Sequence, residues 1–199
     1  MFVAAYNELS LLDWEGKISC VLFLSGCNFR CPWCHNKELA EGTISNTIPI
    51  EEVIQSVKSK KNWIDGFVIT GGEPTINKDL TGIISKIREN GFAVKVDTNG
   101  SHPEVIENLI EKKLVDCVAM DIKSALAQEK YNNACGVFVN LPAIKKTIEI
   151  LLGSSIDCLF RTTVVPGIVD EDDLLNIAEV VKGKKYRTQK YKGREEGRR

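Results

Sequence analysis

Apolar residues along this chain follow two alternating periods. Short apolar-rich runs occur at residues 18–24 (ISCVLFL), 67–70, 93–98, 115–122 and 156–165. Runs of that length and composition read as strands buried on both faces. Between them, apolar residues recur at helical spacing. Ile50, Val53, Ile54 and Val57 share one face of residues 50–60, and Leu80, Ile83, Ile84 and Ile87 share one face of residues 79–90, a segment stopped by Gly91. A helix is predicted over residues 101–113, where Ser101-His102-Pro103-Glu104 reads as a capping box with His102 exposed. Two more cover residues 141–152, ended by Gly153, and residues 170–182, capped by Asp170 and closed by Gly183. Residues 186–191 read as a weaker, polar strand, and residues 124–140 show neither period.

Strand and helix in alternation argue for parallel βαβ units. Five clear strands and one weak one make six. A closed eight-stranded barrel takes ~250 residues, and this chain has 199. The prediction is an α/β fold, a partial, open (β/α)6 barrel with parallel strands. Residues 1–181 are expected to form the barrel domain. Residues 182–199 form a basic tail that includes the last edge strand, with nine Lys or Arg against two Glu. Its simplest reading is a solvated end. The sharper one is a contact surface for an acidic partner, using Lys190, Lys192, Arg194, Arg198 and Arg199.

Composition narrows the function classes. With 43% hydrophobic and 27% charged residues and a net charge of −1, the chain has the make-up of a globular domain. Its overall charge gives no signature for nucleic acid or a membrane surface. No apolar run approaches the ~20 residues of a membrane span, and the first residues lack the basic flank of a secretory signal. The expected location is the cytoplasm, where the seven cysteines stay reduced.

Three of those cysteines sit within eight residues. Cys27, Cys31 and Cys34 are spaced C-x3-C-x2-C in a loop just past the first predicted strand. Soft thiolates grouped this way suit an iron–sulfur cluster. A cubane needs four ligands, so three thiols leave one iron open, as a catalytic metal site does. Zinc is the rival occupant. It wants a fourth ligand, but His35 is adjacent to Cys34 and points away from whatever Cys34 binds, and no other Cys or His follows at finger spacing. Cys20, Cys117 and Cys158 lie inside apolar strands and read as small core residues. Cys135 lies in the stretch without period, and the four form no second cluster.

Polar and Gly-rich motifs follow the other strands. Gly71-Gly72-Glu73-Pro74 ends one, and its glycines permit close backbone approach to a ligand, with Glu73 as an acceptor for an ammonium group. Asp97 and Asn99 end the next. Asp121 and Lys123 end the one after and share a face by period two. Parallel α/β folds bind ligands at that edge, so these motifs are expected to converge on one mouth.

Together, Asp13-Trp14-Glu15-Gly16-Lys17-Ile18, the cysteine loop Cys27-Asn28-Phe29-Arg30-Cys31-Pro32-Trp33-Cys34-His35-Asn36, Gly71-Gly72-Glu73-Pro74-Thr75, Asp97-Thr98-Asn99-Gly100, Met120-Asp121-Ile122-Lys123 and Arg161-Thr162-Thr163-Val164-Val165-Pro166-Gly167 resemble the radical S-adenosylmethionine enzymes. More narrowly they are similar to glycyl-radical activating enzymes, above all those serving anaerobic ribonucleoside-triphosphate reductase. The resemblance implies a [4Fe-4S] cluster on Cys27, Cys31 and Cys34. It also implies bound S-adenosyl-L-methionine, cleaved reductively to a 5′-deoxyadenosyl radical that takes hydrogen from a glycine of a partner enzyme. It gives Trp33 the adenine, Gly71, Gly72, Glu73 and Pro74 the methionine amino group, and Lys123 the carboxylate with Asp121 nearby. Asp97, Asn99 and Arg161 complete the cofactor-binding set, with Asp97 and Thr98 matching positions that hold a monovalent cation in some activating enzymes. No catalytic residue is implied beyond cluster and cofactor. The implied partners are a glycyl-radical enzyme and a flavodoxin- or ferredoxin-type electron donor, with no nucleic acid and no membrane. A rival substrate class is a small molecule, as in the carboxy-deazaguanine synthases. A non-enzymatic metal-binding module is a third reading.

Overall fold

The computed structural model describes residues 1–44, 47–60 and 62–193. Two short strands, β1 (Phe2–Val3) and β2 (Ala5–Ser10), precede the first buried strand, β3 (Ser19–Leu24). Helix α1 (Lys37–Glu41), strand β4 (Ile48–Pro49), helix α2 (Ile50–Lys58) and strand β5 (Gly66–Gly71) follow. Then come α3 (Leu80–Glu89), β6 (Ala93–Thr98), α4 (Pro103–Glu111), β7 (Cys117–Asp121), α5 (Gln128–Cys135) and α6 (Leu141–Gly153). The described chain closes with β8 (Asp157–Val164), α7 (Glu171–Val180) and β9 (Lys185–Lys190).

The main sheet runs β2-β3-β5-β6-β7-β8-β9. From β3 to β9 every neighbouring pair is parallel, which makes the six strands of the expected open barrel. Strand β2 is an unpredicted addition, antiparallel to β3 at the edge. Its sequence, AYNELS, is mostly exposed and carries no apolar face for periodicity to detect. The weak last strand forms fully. β9 pairs with β8 from Leu159↔Lys185 to Val164↔Lys190. A polar strand is stable there because it lies at a sheet edge. Of the proposed tail contacts, Lys190 ends this strand, Lys192 follows it, and Arg194, Arg198 and Arg199 lie outside the described residues.

Two local expectations are corrected. Residues 124–140 are not irregular: α5 occupies their centre, ended by Gly136 in the left-handed conformation (φ 67°). Its apolar positions are too few for periodicity to announce a helix, yet Tyr131, Ala134 and Cys135 are buried. The capping box at Ser101 does not form. Pro103 takes the first helical position, which makes His102 the N-cap, and no side chain caps the helix. The Ser101 hydroxyl instead accepts from Asn28 Nδ2 (2.9 Å) and meets His102 Nδ1 (2.9 Å). His102 is therefore only partly exposed, and its Nδ1 also lies 3.2 Å from Thr75 Oγ1. By contrast Asp170 caps α7 as expected, in a reciprocal box with Asp173.

The two faces of the sheet do different work. Outward-facing residues such as Cys20, Leu22, Ile69, Val96, Met120, Cys158 and Phe160 join the apolar faces of the helices in one continuous core. A fully buried side chain of this size contributes about 1.5–3 kcal/mol, so this layer carries the fold. The inward face starts apolar: Val21, Val68 and Cys117 meet Trp14, which is 5% exposed and plugs the floor of the barrel. Above that plug the inward face turns polar.

Candidate active site

The cysteine loop leaves β3 and is held from three sides. Gly26 N and Cys27 N donate to Leu39 O (2.7 Å) and Ala40 O (3.0 Å) of α1. Asn99 Nδ2, just past β6, donates to Asn28 Oδ1 (2.9 Å). The end of α5 supplies the third side. Arg30 N donates to Cys135 O (2.8 Å), and Trp33 Nε1 donates to Ala134 O (3.1 Å). A side chain at Gly136 would place its Cβ 2.3 Å from Arg30 O, so glycine permits that contact. None of the seven cysteines is in a disulfide.

The thiols differ in character. Burial is the main influence on Cys27 and raises its pKa above the usual thiol value. The pKa of Cys31 is lowered, first by the neighbouring Cys135 thiol and then by the positive charge of Lys123, against burial. A lowered thiol pKa favours the thiolate, the form that binds a metal.

Gly71 and Gly72 are required by the loop itself. A Cβ at Gly72 would lie 1.9 Å from Gly26 O, and one at Gly71, whose φ is 118°, 2.4 Å from Leu24 O. Their close approach is thus to β3 and the start of the cysteine loop, a packing need that sequence reading assigned to a ligand. Glu73 is 1% exposed. One carboxylate oxygen accepts from Thr75 N (3.1 Å), Thr75 Oγ1 (2.5 Å) and Thr98 Oγ1 (2.8 Å), and the other from Asn99 N (2.6 Å). Burial raises its pKa, and these donors oppose the shift. In this arrangement Glu73 ties β5 to β6. Pro74 opens the one-turn helix behind it.

Inside the barrel a ladder of alternating charges climbs from floor to mouth. Lys95, 3% exposed, donates to Asp13 O (2.5 Å) and pairs with Asp97 Oδ1 (3.0 Å). That contact has ion-pair distance without hydrogen-bond alignment, since Oδ1 has no hydrogen-bond partner. Asp97 Oδ2 pairs with Arg161 Nη1 (3.1 Å), Arg161 Nε with Asp121 Oδ1 (2.8 Å), and Asp121 Oδ2 with Lys123 Nζ (3.1 Å). Lys123 Nζ ends the ladder 5.2 Å from the centre of the Trp33 ring. Burial alone would raise the pKa of Asp121, but Arg161 and Lys123 outweigh it and hold the carboxyl well below the usual range. The same pairing holds Lys123 and Arg161 protonated against their own burial. Because both oxygens of Asp97 face cationic groups, the structure gives no support to a monovalent-cation site there.

A cavity of about 600 Å³ opens at the carboxyl ends of the strands. Cys27, Cys31, Cys34, Trp33, Gly71, Gly72, Glu73, Asp97, Asn99, Asp121 and Lys123 all line it. Of the sequence-predicted set, Pro74 and Arg161 do not. Arg161 lines a smaller cavity of about 180 Å³ beneath, with Lys95. Sequence reading missed Lys95, although a lysine in an apolar strand, two residues before Asp97, is a period-two signal for an inward charge. It also missed Thr163 and Gln189, which line the larger cavity, and the position of Cys135. The fit to an iron–sulfur cluster rests on the donor set: three sulfurs on the wall of a roomy, cation-edged cavity. Among the described residues no three His, Cys, Asp or Glu side chains converge as closely as a single metal ion requires.

Fold and site together define a parallel partial-barrel protein with a three-thiol loop facing a cavity. Residues 21–179 match the Radical SAM superfamily model. Over 186 residues the chain is 40% identical to MJ1227 of Methanocaldococcus jannaschii, provisionally named a glycyl-radical enzyme activating enzyme, which covers 90% of this chain and 75% of the relative. It is 25% identical to pyruvate formate-lyase 1-activating enzyme of Escherichia coli K12, over 86% of this chain and 70% of that one. Likeness to 7-carboxy-7-deazaguanine synthase of Aquifex aeolicus is 35% but reaches only 49% of the chain, so the small-molecule reading is the less favoured. Among solved structures, Streptococcus suis SuiB bound to S-adenosylmethionine overlays with a TM-score of 0.67 at 16% identity, covering 86% of this chain and 42% of that one. This chain therefore spans less than two thirds of that protein, and the overlay speaks for the fold. The chain belongs to the radical S-adenosylmethionine superfamily, with the glycyl-radical activating enzymes as its relatives, and the family's cofactors are a [4Fe-4S] cluster and S-adenosylmethionine. Among the described residues no helix is long and apolar enough to cross a membrane.

Proposed function

We propose that this protein generates a glycyl radical on a partner enzyme in the cytoplasm, and that the partner is an anaerobic ribonucleoside-triphosphate reductase. The motif order in the sequence supports that choice of partner. The observation that carries the reading is the shared cavity: three thiols on one wall, Lys123 and Asp121 on the strand ends. When bound, the cluster and S-adenosylmethionine supply a one-electron reductive cleavage and a carbon-centred hydrogen acceptor, chemistry that belongs to the cofactors.

The chain's own residues bind, orient and exclude water. Cys27, Cys31 and Cys34 hold the cluster. Lys123, kept charged by Asp121, receives the carboxylate of the methionine moiety, a charge-assisted contact worth ~1.5–3 kcal/mol. Trp33 lines the wall beside it, and Asn99 fixes the loop through Asn28. Arg161, Asp97 and Lys95 hold Asp121 in place from below. An open barrel suits a protein substrate, because a peptide loop carrying the glycine can enter without a lid. A flavodoxin- or ferredoxin-type protein delivers the electron.

The test is anaerobic reconstitution with iron and sulfide, reduction by dithionite, and chromatography for 5′-deoxyadenosine. Product is expected even without a protein substrate. Adding the reductase is expected to give the doublet signal of a glycyl radical by paramagnetic resonance. A fully reconstituted, reduced sample that forms no 5′-deoxyadenosine overturns the activity. Product without a radical on the reductase overturns the partner.

A further inference from the structure

Hydrogen bonds run from the cysteine loop to Glu73, and their directions are fixed at both ends. Ser101 N, which can only donate, gives to Asn99 Oδ1 (3.0 Å). That leaves Asn99 Nδ2 to donate to Asn28 Oδ1 (2.9 Å) and Asn28 Nδ2 to donate to Ser101 Oγ (2.9 Å). At the other end the Glu73 carboxylate can only accept, so the one hydrogen of Thr75 Oγ1 is committed to Glu73 Oε1 (2.5 Å). His102 Nδ1 lies between the two hydroxyls, 2.9 Å from Ser101 Oγ and 3.2 Å from Thr75 Oγ1. Thr75 has no hydrogen left to give it. A bare Nδ1 would face a Thr75 lone pair with its own, so Nδ1 carries the hydrogen and donates to both oxygens. The activity proposed above leaves His102 without a task.

We infer that His102 is a positioning residue whose Nδ1–H ties Ser101 to Thr75 and thereby holds the Glu73 carboxylate turned toward the ammonium group of S-adenosylmethionine. This rests on the reading that Glu73 receives that ammonium. The two carboxylate oxygens are unequally occupied. Oε1 accepts from Thr75 N, Thr75 Oγ1 and Thr98 Oγ1, while Oε2 accepts from Asn99 N alone. Glu73 lines the large cavity, so Oε2 is the oxygen with a place left for a cationic ligand group. Donation from His102 into Thr75 Oγ1 polarises the Thr75 hydroxyl and strengthens its own bond to Oε1, because linked hydrogen bonds reinforce one another where water is scarce. His102 does not itself line the cavity. It acts through its two neighbours.

The experiment measures equilibrium binding of two ligands to the oxidised, cluster-loaded protein: S-adenosylmethionine and its analogue lacking the α-amino group. Wild type is compared with His102→Leu, His102→Gln and His102→Asn. Wild type is expected to prefer the amino ligand. Leu removes the donor, and Gln carries its amide nitrogen near the place of Nε2. Both are expected to weaken S-adenosylmethionine about three- to tenfold, the range of one hydrogen bond, and to leave the analogue unchanged. Asn, whose amide nitrogen falls near the place of Nδ1, is expected to restore most of the preference. Iron per chain is expected to be the same in all four. Nitrogen-15 resonance on the two histidines of the chain is expected to show hydrogen on Nδ1 of His102. An equal preference in all four proteins, an equal loss for both ligands, loss of iron from a folded variant, or a bare Nδ1 overturns the inference. Wild type that binds the two ligands alike defeats the Glu73 reading itself, and the inference with it.

Discussion

The floor and the mouth of this barrel are built from the same strands and behave as opposites. At the floor, Cys117 packs with Trp14, Val21 and Val68, and burial pushes its pKa up to about 12. At the mouth, the neighbouring Cys135 thiol and the charge of Lys123 lower that of Cys31. Both residues are buried. What separates them is the charge around the sulfur, because reactive and metal-binding thiols sit in electropositive surroundings and inert ones in apolar surroundings. The floor supplies stability through apolar contact. The mouth holds charges whose partners must all be present at once.

The largest expected effect breaks that comparison directly. Cys31→Ala should reduce iron after reconstitution from about four atoms per chain to background, while Cys117→Ala should leave it at the wild-type level. Iron retained in the first, or lost from a folded sample of the second, would erase the distinction between the two ends.

Next comes the ladder that joins them. Arg161 is the only described group paired with both Asp97 and Asp121. Arg161→Ala leaves the buried Asp97 and the partly exposed Asp121 each with one cation in place of two, a loss below the ~3–5 kcal/mol of a broken buried pair and readable as a fall in the urea midpoint at unchanged slope. The pH dependence has a defined sign. The pKa of Asp121 is depressed from 3.8, so its contribution is present above that value and is lost as pH falls through the folded one. Asp121→Asn should therefore be less stable than wild type at pH 7, and the gap should narrow below about pH 4. A gap that stays constant to acid would show that the ladder carries no net stabilisation.

The ladder also marks the boundary of what the sequence made legible. Strands with long apolar runs and helices with four clean inward positions, such as Leu80, Ile83, Ile84 and Ile87, were readable because one period dominates them. The cysteine loop was readable because three thiols within eight residues suit little besides a metal centre. Lys95, Cys135 and the whole of α5 were not. Their importance comes from neighbours far away in the chain, and local pattern carries no information about such pairings. Gly71 and Gly72 were flagged correctly as close-approach positions, but the approaching group is the backbone of Leu24 and Gly26. Local pattern tells that space is tight and leaves open what fills it.

A smaller effect sharpens the mouth alone. Lys123→Ala should keep the iron, because Lys123 is no thiol, and weaken S-adenosylmethionine binding by about ten- to a hundredfold, the loss of one charge-assisted hydrogen bond. Equilibrium binding to the oxidised, cluster-loaded protein separates this from any effect on turnover. An unchanged dissociation constant would reduce Lys123 to the last rung of a structural ladder.

The smallest effect sets two arginines side by side. Arg161 and Arg187 are register partners on β8 and β9. Arg161 lies inside the ladder. Arg187 lies one strand further toward the open edge, where its guanidinium meets Glu15 at 2.5 Å with both side chains half exposed (52% and 60%). This pair links the last strand to the segment that plugs the floor, so it closes a seam between distant parts of the chain. Water competes for both partners and salt screens them, and exposed pairs of this kind contribute about 0.2–1 kcal/mol. Arg187→Ala should accordingly lower the melting temperature by no more than about 2–4 °C, and the difference should shrink further at high salt. The same substitution one strand inward costs more because Arg161 answers to two carboxylates, Asp97 buried and Asp121 partly so. If Arg187→Ala proved as damaging as Arg161→Ala, the seam at the floor, and not the ladder toward the mouth, would be what holds this barrel in shape.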